Sequence, residues 1–116
     1  MNSEARRTWT RETAGFLQEN YLTHSGILTS FGDLAGVFPQ AGIHLRETLH
    51  EGNDPFWTSA LVRPDLFLWE EWVVAIGGDK VSSAMAKAGR LGVHYPLVKS
   101  ITVKGGPVIE IYRRTR

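Results

Sequence analysis

The chain has 116 residues, of which 42% are hydrophobic and 22% charged, as expected for one ordinary globular domain. It contains no cysteine, which excludes disulfides, thiolate metal sites and a cysteine nucleophile. No segment approaches the roughly 20 apolar residues that span a bilayer, and no apolar run follows the charges near the amino terminus. We therefore expect a cytoplasmic protein with no membrane partner.

The net charge of +1 conceals a strong asymmetry along the chain. Residues 1–79 carry five basic and eleven acidic groups, a net charge of −6, whereas residues 80–116 carry eight basic groups and Glu110 alone, a net charge of +7. A segregated basic face is what phosphate binding requires, because each neutralised phosphate releases counterions. The alternative is that the basic third pairs with the acidic body inside the fold.

A capping hydroxyl and helical apolar spacing predict the first helix. The hydroxyl of Thr8 or Thr10 can accept a hydrogen bond from an unpaired backbone N–H of the first turn. Apolar residues then recur at helical spacing until Gly26 ends the helix. Residues 1–7 and 115–116 are expected to be frayed.

Two shorter helices around a tight turn are predicted next. Ser30 stands ahead of the second helix with Asp33 three residues on, a weak capping box, and Pro39 cannot continue this helix. After a glycine-containing turn, residues 43–51 have the spacing of a third helix. Residues 29–51 are thus predicted to form a helix-turn-helix.

The middle of the chain admits two interpretations. The residues TSALV, RPD and LFLW favour a β-hairpin, because proline and aspartate form tight turns and the flanking residues are β-branched or aromatic. Alternatively, Asp65 caps a helix that runs to Ile76, with Gly77 as its C-terminal glycine. Residues 66–76 are therefore either strand or helix.

The last third of the chain gives the clearest local signals. Asp79 is a good N-cap for a helix through Arg90, and residues 97–114, read as LVKSITV, KGG and PVIEIYRR, predict a hairpin closed by a glycine turn. The apolar stripe predicted for the helix comprises Val81, Ala84, Met85, Ala88 and Leu91.

Three helices followed by a hairpin is the element order of a winged helix. The sequence therefore predicts a single α+β domain over residues 1–116, with a helix-turn-helix (winged-helix-like) core and β-hairpins.

The stretch GILTSFGDLAGVFPQAGIHLRETL is similar to a family pattern in which G-x-V-T-T-Y-G-D-I-A begins one helix and A-V-G-x-A-L ends the next. The matching positions are Thr29, Gly32, Asp33, Leu34, Ala35, Leu45 and Leu49. On these residues, the segment 26–93 resembles the DNA-binding part of alkyltransferase-like proteins and O6-alkylguanine-DNA alkyltransferases. The resemblance implies a winged helix that binds DNA.

The chain departs from this family at its chemical positions. The family's tyrosine falls on Phe31, its arginine finger falls on Ile43, and its Pro-Cys-His-Arg motif is absent, since residues 55–58 read PFWT. Without the cysteine, alkyl transfer to the protein is impossible, and without the arginine, base flipping loses its wedge. The resemblance therefore implies binding without repair.

The predicted function is non-catalytic binding of nucleic acid, with DNA more expected than RNA. Groove contacts are assigned to Ser30, Phe31, His44 and Arg46. Phosphate contacts are assigned to the basic third, namely Lys80, Ser83, Lys87, Arg90, Lys99, Lys104, Arg113 and Arg114.

Two alternatives remain. A protein-interaction module could bind a basic protein partner through the acidic body, with Trp57, Trp69 and Trp72 as anchors. A small enzyme is the other alternative, although no catalytic residue can be assigned. The four histidines lack metal-ligand spacing, so no metal and no cofactor are predicted.

Overall fold

The computed structural model describes residues 3–115 of the chain. The predicted fraying of the first two residues and of the last one lies outside this range. Within it, residues 3–7 are helical and include buried Ala5, and the backbone N–H of Thr115 donates to the carbonyl oxygen of His94 at 3.1 Å. Residues 3–7 thus belong to a helix, and Thr115 is hydrogen-bonded to the residues after α5.

Helix α1 spans Ser3–Asn20 and begins upstream of the predicted caps. The Thr8 hydroxyl donates to the carbonyl oxygen of Glu4 at 2.9 Å, as threonine does inside a helix. Thr8 therefore does not cap the helix. The side chains that α1 buries recur at helical spacing, and they are Ala5, Trp9, Thr13, Ala14 and Leu17.

The segment predicted as a helix-turn-helix forms short turns and a strand instead. Its second helix is a 3-10 turn at Gly32–Leu34 followed by α2, a single turn at Val37–Gln40. In place of the predicted third helix lie a 3-10 turn at Leu45–Glu47 and strand β2, Thr48–Leu49. The third helix predicted over residues 43–51 is therefore wrong.

Sheet pairing explains this correction. Strand β1, Ile27–Leu28, lies parallel to β2, and the backbone N–H of Thr29 donates to the carbonyl oxygen of Leu49 at 3.0 Å. The carbonyl oxygen of Leu49 is thus paired with a neighbouring strand, whereas the prediction placed Leu49 in a helix. Such tertiary pairing overrides weak local helix propensity.

The middle of the chain combines parts of both interpretations. Helix α3 spans Phe56–Val62, helix α4 spans Pro64–Phe67, and strand β3 spans Trp72–Ile76. The predicted hairpin is wrong because Pro64 occupies the first turn of a helix, where its missing N–H costs nothing. The alternative helix is correct only as far as Phe67.

The predictions for the last third are confirmed. Helix α5 spans Lys80–Arg90, and its N-cap Asp79 accepts the backbone N–H of Ser82 at 2.8 Å. Strands β4, Leu97–Thr102, and β5, Val108–Arg113, form the expected antiparallel hairpin. In the predicted apolar stripe of α5, four residues are buried, but Leu91 is 41% exposed.

The five strands form one mixed sheet in the order β2-β1-β3-β5-β4. Strands β2, β1 and β3 are parallel, and β5 lies antiparallel to both β3 and β4. Helices α1 and α2 pack on one side, where Trp9, Phe38 and Trp72 lie in the core. Helices α3 and α5 pack on the other side, around Trp57 and Val81. The chain is thus a single α+β domain, as predicted.

No helix within residues 3–115 is long and apolar enough to cross a membrane.

Candidate interaction site

The basic residues predicted to contact phosphate lie on both sides of the sheet. Lys80, Ser83 and Lys87 line a groove of about 410 Å³ between α3 and α5. Lys99 lines a groove beside α1, on the opposite side of the sheet, together with the carboxylates Glu12 and Glu19. Lys104 and Arg90 are exposed, the former in the β4–β5 turn and the latter in the last turn of α5. These cations therefore do not converge on one surface.

The two arginines at the end of β5 are held by structural contacts. Arg113 Nε donates to Glu71 Oε2 at 2.8 Å, and its guanidinium lies 4.9 Å from the centre of the Trp72 ring. Arg114 Nη1 donates to the carbonyl oxygen of Leu68 at 3.0 Å. Both side chains thus connect the end of the sheet to the residues before β3.

Glu51 engages two of the residues predicted to enter a DNA groove. The Ser30 hydroxyl donates to Glu51 Oε2 and the backbone N–H of Phe31 donates to Oε1, both at 2.7 Å. Burial favours the neutral form of this carboxyl, but hydrogen bonds from backbone N–H groups and from Ser30 outweigh it and lower the pKa. The Phe31 ring also stacks on His50 at 4.0 Å. Ser30 and Phe31 therefore border a carboxylate, which repels phosphate.

The three tryptophans predicted as partner anchors have different environments. Trp57 is 8% exposed and donates its Nε1–H to the carbonyl oxygen of Thr29 at 2.8 Å, while Trp72 is 1% exposed. These two rings belong to the core on opposite sides of the sheet. Trp69, by contrast, is 76% exposed. Of the predicted anchors, Trp69 alone is available to a partner.

A second exposed aromatic ring lines the same groove as Trp69. Phe56, at the start of α3, is 71% exposed, and both rings line one groove of about 1020 Å³ formed by β2 together with the residues just before β1 and β3. We call it the β2 groove. The residues that line it are His24, Ser25, Gly26, Leu45, Arg46, Glu47, Thr48, Leu49, His50, Gly52, Asn53, Phe56, Trp69 and Glu70.

Local hydrogen bonds fix both aromatic residues of the β2 groove. Asp54 Oδ1 accepts the backbone N–H of Thr58 at 2.9 Å and its hydroxyl at 2.7 Å, which holds the first turn of α3 and therefore Phe56. Just after Trp69, the backbone N–H of Glu71 donates to the carbonyl oxygen of Ser25 at 3.0 Å. The two rings are thus carried on tethered backbone.

A carboxylate with several donors lies in the wall of the β2 groove. Glu47 Oε1 accepts the Tyr21 hydroxyl at 2.5 Å and the backbone N–H of His24 at 2.6 Å. The Tyr21 hydrogen bond is the main cause that lowers the pKa of Glu47, followed by the bond from His24. Since both donors are neutral, neither cancels the negative charge of the Glu47 carboxylate.

The predicted groove-reading cations lie at this edge of the fold as well. Arg46 is exposed in the lining of the β2 groove, and exposed His44 lines a neighbouring, mostly apolar groove with Phe31, Phe38 and Ile43. The β2 groove also contains two carboxylates, Glu47 and Glu70, so the positive charge of Arg46 is outnumbered there. Among the described residues, no group of three or more histidines and carboxylates is placed to hold a metal ion.

Sequence reasoning missed Phe56, although a signal was present. The stretch FWTSALVRPDLFLW has nine apolar residues among fourteen, too many for two short helices on one face of a sheet to bury. Some of these side chains had to remain exposed.

Searches with this chain find no matching family model, no matching curated protein and no matching solved structure. The resemblance to the alkyltransferase family therefore stays a prediction.

Proposed function

We propose that the chain is a non-catalytic protein-interaction module that binds a basic partner segment in the β2 groove. The exposure of Phe56 and Trp69 in one groove is the observation that supports this function. Aromatic side chains dominate the energetics of protein interfaces because they bury a large area with few rotatable bonds. Two such rings in one groove provide the anchor points of a small interface.

The charges of the β2 groove favour a basic partner. Glu47 and Glu70 line it, and Arg46 is the single lysine or arginine among the lining residues. Glu51 and Asp54 are exposed next to it, between β2 and α3. A partner segment with lysine or arginine beside apolar side chains therefore complements both the carboxylates and the rings.

The backbone N–H groups at the outer edge of β2 are not free to pair with an added strand. The backbone N–H of Thr48 donates to the carbonyl oxygen of Leu45, and that of His50 donates to Asn53 Oδ1 at 3.0 Å. Binding by strand addition would need such groups to be available. The proposed partner is therefore held by side chains.

Nucleic-acid binding is the less favoured function. It relied on a recognition helix over residues 43–51, where a 3-10 turn and strand β2 lie, and on a basic surface whose members lie on both sides of the sheet. Arg113 and Arg114 are engaged in structural contacts.

The proposal is tested with peptides. A library of random twelve-residue peptides displayed on phage is selected on the wild-type protein, and the enriched peptides are synthesised and titrated by calorimetry. We expect enriched peptides to combine aromatic or aliphatic residues with lysine or arginine. The double variant Phe56→Ser with Trp69→Ser should weaken their binding by at least about 30-fold, since each anchor contributes about 1–2 kcal/mol or more.

Val98→Ser is the matched control, because Val98 is an exposed apolar residue on β4, at the opposite edge of the sheet. It should leave peptide affinity unchanged. Selection that enriches no peptide sensitive to the double variant would contradict the proposal. Salt-sensitive binding to duplex DNA, lost in Lys87→Glu with Arg90→Glu, would favour the nucleic-acid function instead.

A further inference from the structure

The outward side of the helix layer formed by α3, α4 and α5 combines cations with exposed apolar side chains. α3 packs against α4, and both pack against α5, so the three helices form one surface. We call it the outer helical face. Its members are Val62, Leu66, Phe67, Lys80, Lys87 and Arg90.

Three apolar side chains of this face are about half exposed. The exposed fractions are 52% for Val62, 49% for Leu66 and 50% for Phe67. Val62 is the last residue of α3, and Leu66 and Phe67 are the last two of α4. None of them lines the β2 groove. A cluster of large apolar side chains on a surface marks an interaction site.

The cations of the outer helical face have few acidic neighbours. Asp65 is the only carboxylate within the three helices, and its Oδ2 accepts a hydrogen bond from Arg63 Nη2 at 2.7 Å. Lys80 and Lys87 are two helical turns apart and line one groove together with Val62. The positive charge therefore borders Val62, the apolar member of the face that lines this groove.

Carboxylates near the start of α5 are bonded to its first turn. Asp79 Oδ1 accepts the backbone N–H of Ser82 at 2.8 Å, and Glu110 Oε1 accepts the Ser82 hydroxyl at 2.8 Å. Glu110 also accepts the hydroxyl of Tyr112 at 2.6 Å. Asp79 lines the same groove as Lys80 and Lys87, but each of its two carboxylate oxygens accepts a backbone N–H group.

We propose that the outer helical face binds the surface of a bilayer that contains anionic lipids. Apolar side chains that enter the headgroup region, flanked by lysine and arginine, are the pattern of proteins that lie on a membrane. A duplex backbone would use the cations and leave Val62, Leu66 and Phe67 in water. The expectation of no membrane partner relied on the absence of a spanning segment, which a surface contact does not require.

The test is co-sedimentation of the whole chain with vesicles at about 50 mM salt. One set of vesicles is phosphatidylcholine with 30% phosphatidylserine, and the other is phosphatidylcholine alone. We expect binding to the first set and at least tenfold weaker binding to the second. Lys80→Glu with Lys87→Glu should lower the partition coefficient by at least about tenfold, because each cation near an anionic surface contributes roughly fivefold. Leu66→Ser with Phe67→Ser should also lower it.

Lys99→Glu with Lys104→Glu is the matched control, since it changes the net charge equally but lies on the β4–β5 hairpin. It should keep vesicle binding within about twofold of wild type. An equal loss in this control would overturn the proposal, as would no sedimentation of the wild type with anionic vesicles. Phe56→Ser with Trp69→Ser should leave vesicle binding unchanged, so this test and the peptide test can fail separately.

Discussion

At the scale of single residues, Glu47 is the side chain on which the turn between α1 and β1 depends. It binds the Tyr21 hydroxyl and the backbone N–H of His24, a residue in the left-handed region at φ 76°. The Tyr21 hydroxyl in turn accepts the backbone N–H of Gly26 at 2.9 Å. One carboxylate thus fixes the backbone that leads from α1 into strand β1.

We predict that Glu47→Gln lowers the free energy of unfolding by about 1–2 kcal/mol at pH 7, because it removes the charge from two hydrogen bonds. The native pKa of Glu47 lies below its ordinary value of 4.5, so its contribution is complete above that pH and is lost as pH falls through the native pKa. Urea unfolding at pH 7 and near pH 3.5 measures both effects.

The wild type should therefore lose more stability than Glu47→Gln between these two pH values. Glu12→Gln, a change to an exposed carboxylate of α1, is the control and should follow the wild type. Equal pH dependence of wild type and Glu47→Gln would show that the carboxylate is not stabilised by its donors.

At the scale of elements, the start of α5 depends on its cap. Asp79 accepts the backbone N–H of Ser82 through Oδ1 and that of Ile76 through Oδ2, at 2.8 and 3.2 Å. We predict that Asp79→Ala lowers the free energy of unfolding by about 1–2 kcal/mol, whereas Asp79→Asn, which keeps an acceptor, costs less. Urea denaturation followed by circular dichroism measures the difference. Identical losses in the two variants would argue against capping as the cause.

Elements with local signals could be predicted from the sequence, and elements set by distant partners could not. Helix α5 has its cap and apolar stripe within one stretch, and the β4–β5 hairpin has its turn between its strands. Strand β2 has two residues and exists because β1 lies beside it, about twenty residues earlier in the chain. Local spacing therefore predicted a helix there.

The candidate site was predictable only in part for a related reason. Tryptophan enrichment identified Trp69, but composition cannot distinguish it from Trp57 and Trp72, which the fold buries. The β2 groove joins residues from three parts of the chain around the sheet edge, so its shape follows from the sheet order.

At the scale of the whole molecule, one sheet separates two apolar cores. Strand β3 contributes to both, with Val74 facing the α1 side and Val73 facing the α5 side. Because the same strand supports both layers, loss of either one exposes it. The two sides should therefore unfold together.

We predict one cooperative urea transition, with the same midpoint by tryptophan fluorescence and by far-ultraviolet circular dichroism. The tryptophans report on both cores, since Trp9 and Trp72 lie on one side and Trp57 on the other. Different midpoints by fluorescence and by circular dichroism within one protein, either the wild type or Trp57→Phe, would show that the layers unfold independently.

The order of the strands also bears on synthesis of the chain. Strand β3 is completed at Ile76, but its partner on one side, β5, begins only at Val108. Until β5 has left the ribosome, β3 presents the apolar sequence WVVAI as an open edge, a template for pairing with other chains. A nascent chain halted within the β4–β5 turn should therefore aggregate or recruit a chaperone, while one released beyond Arg113 can close its own sheet.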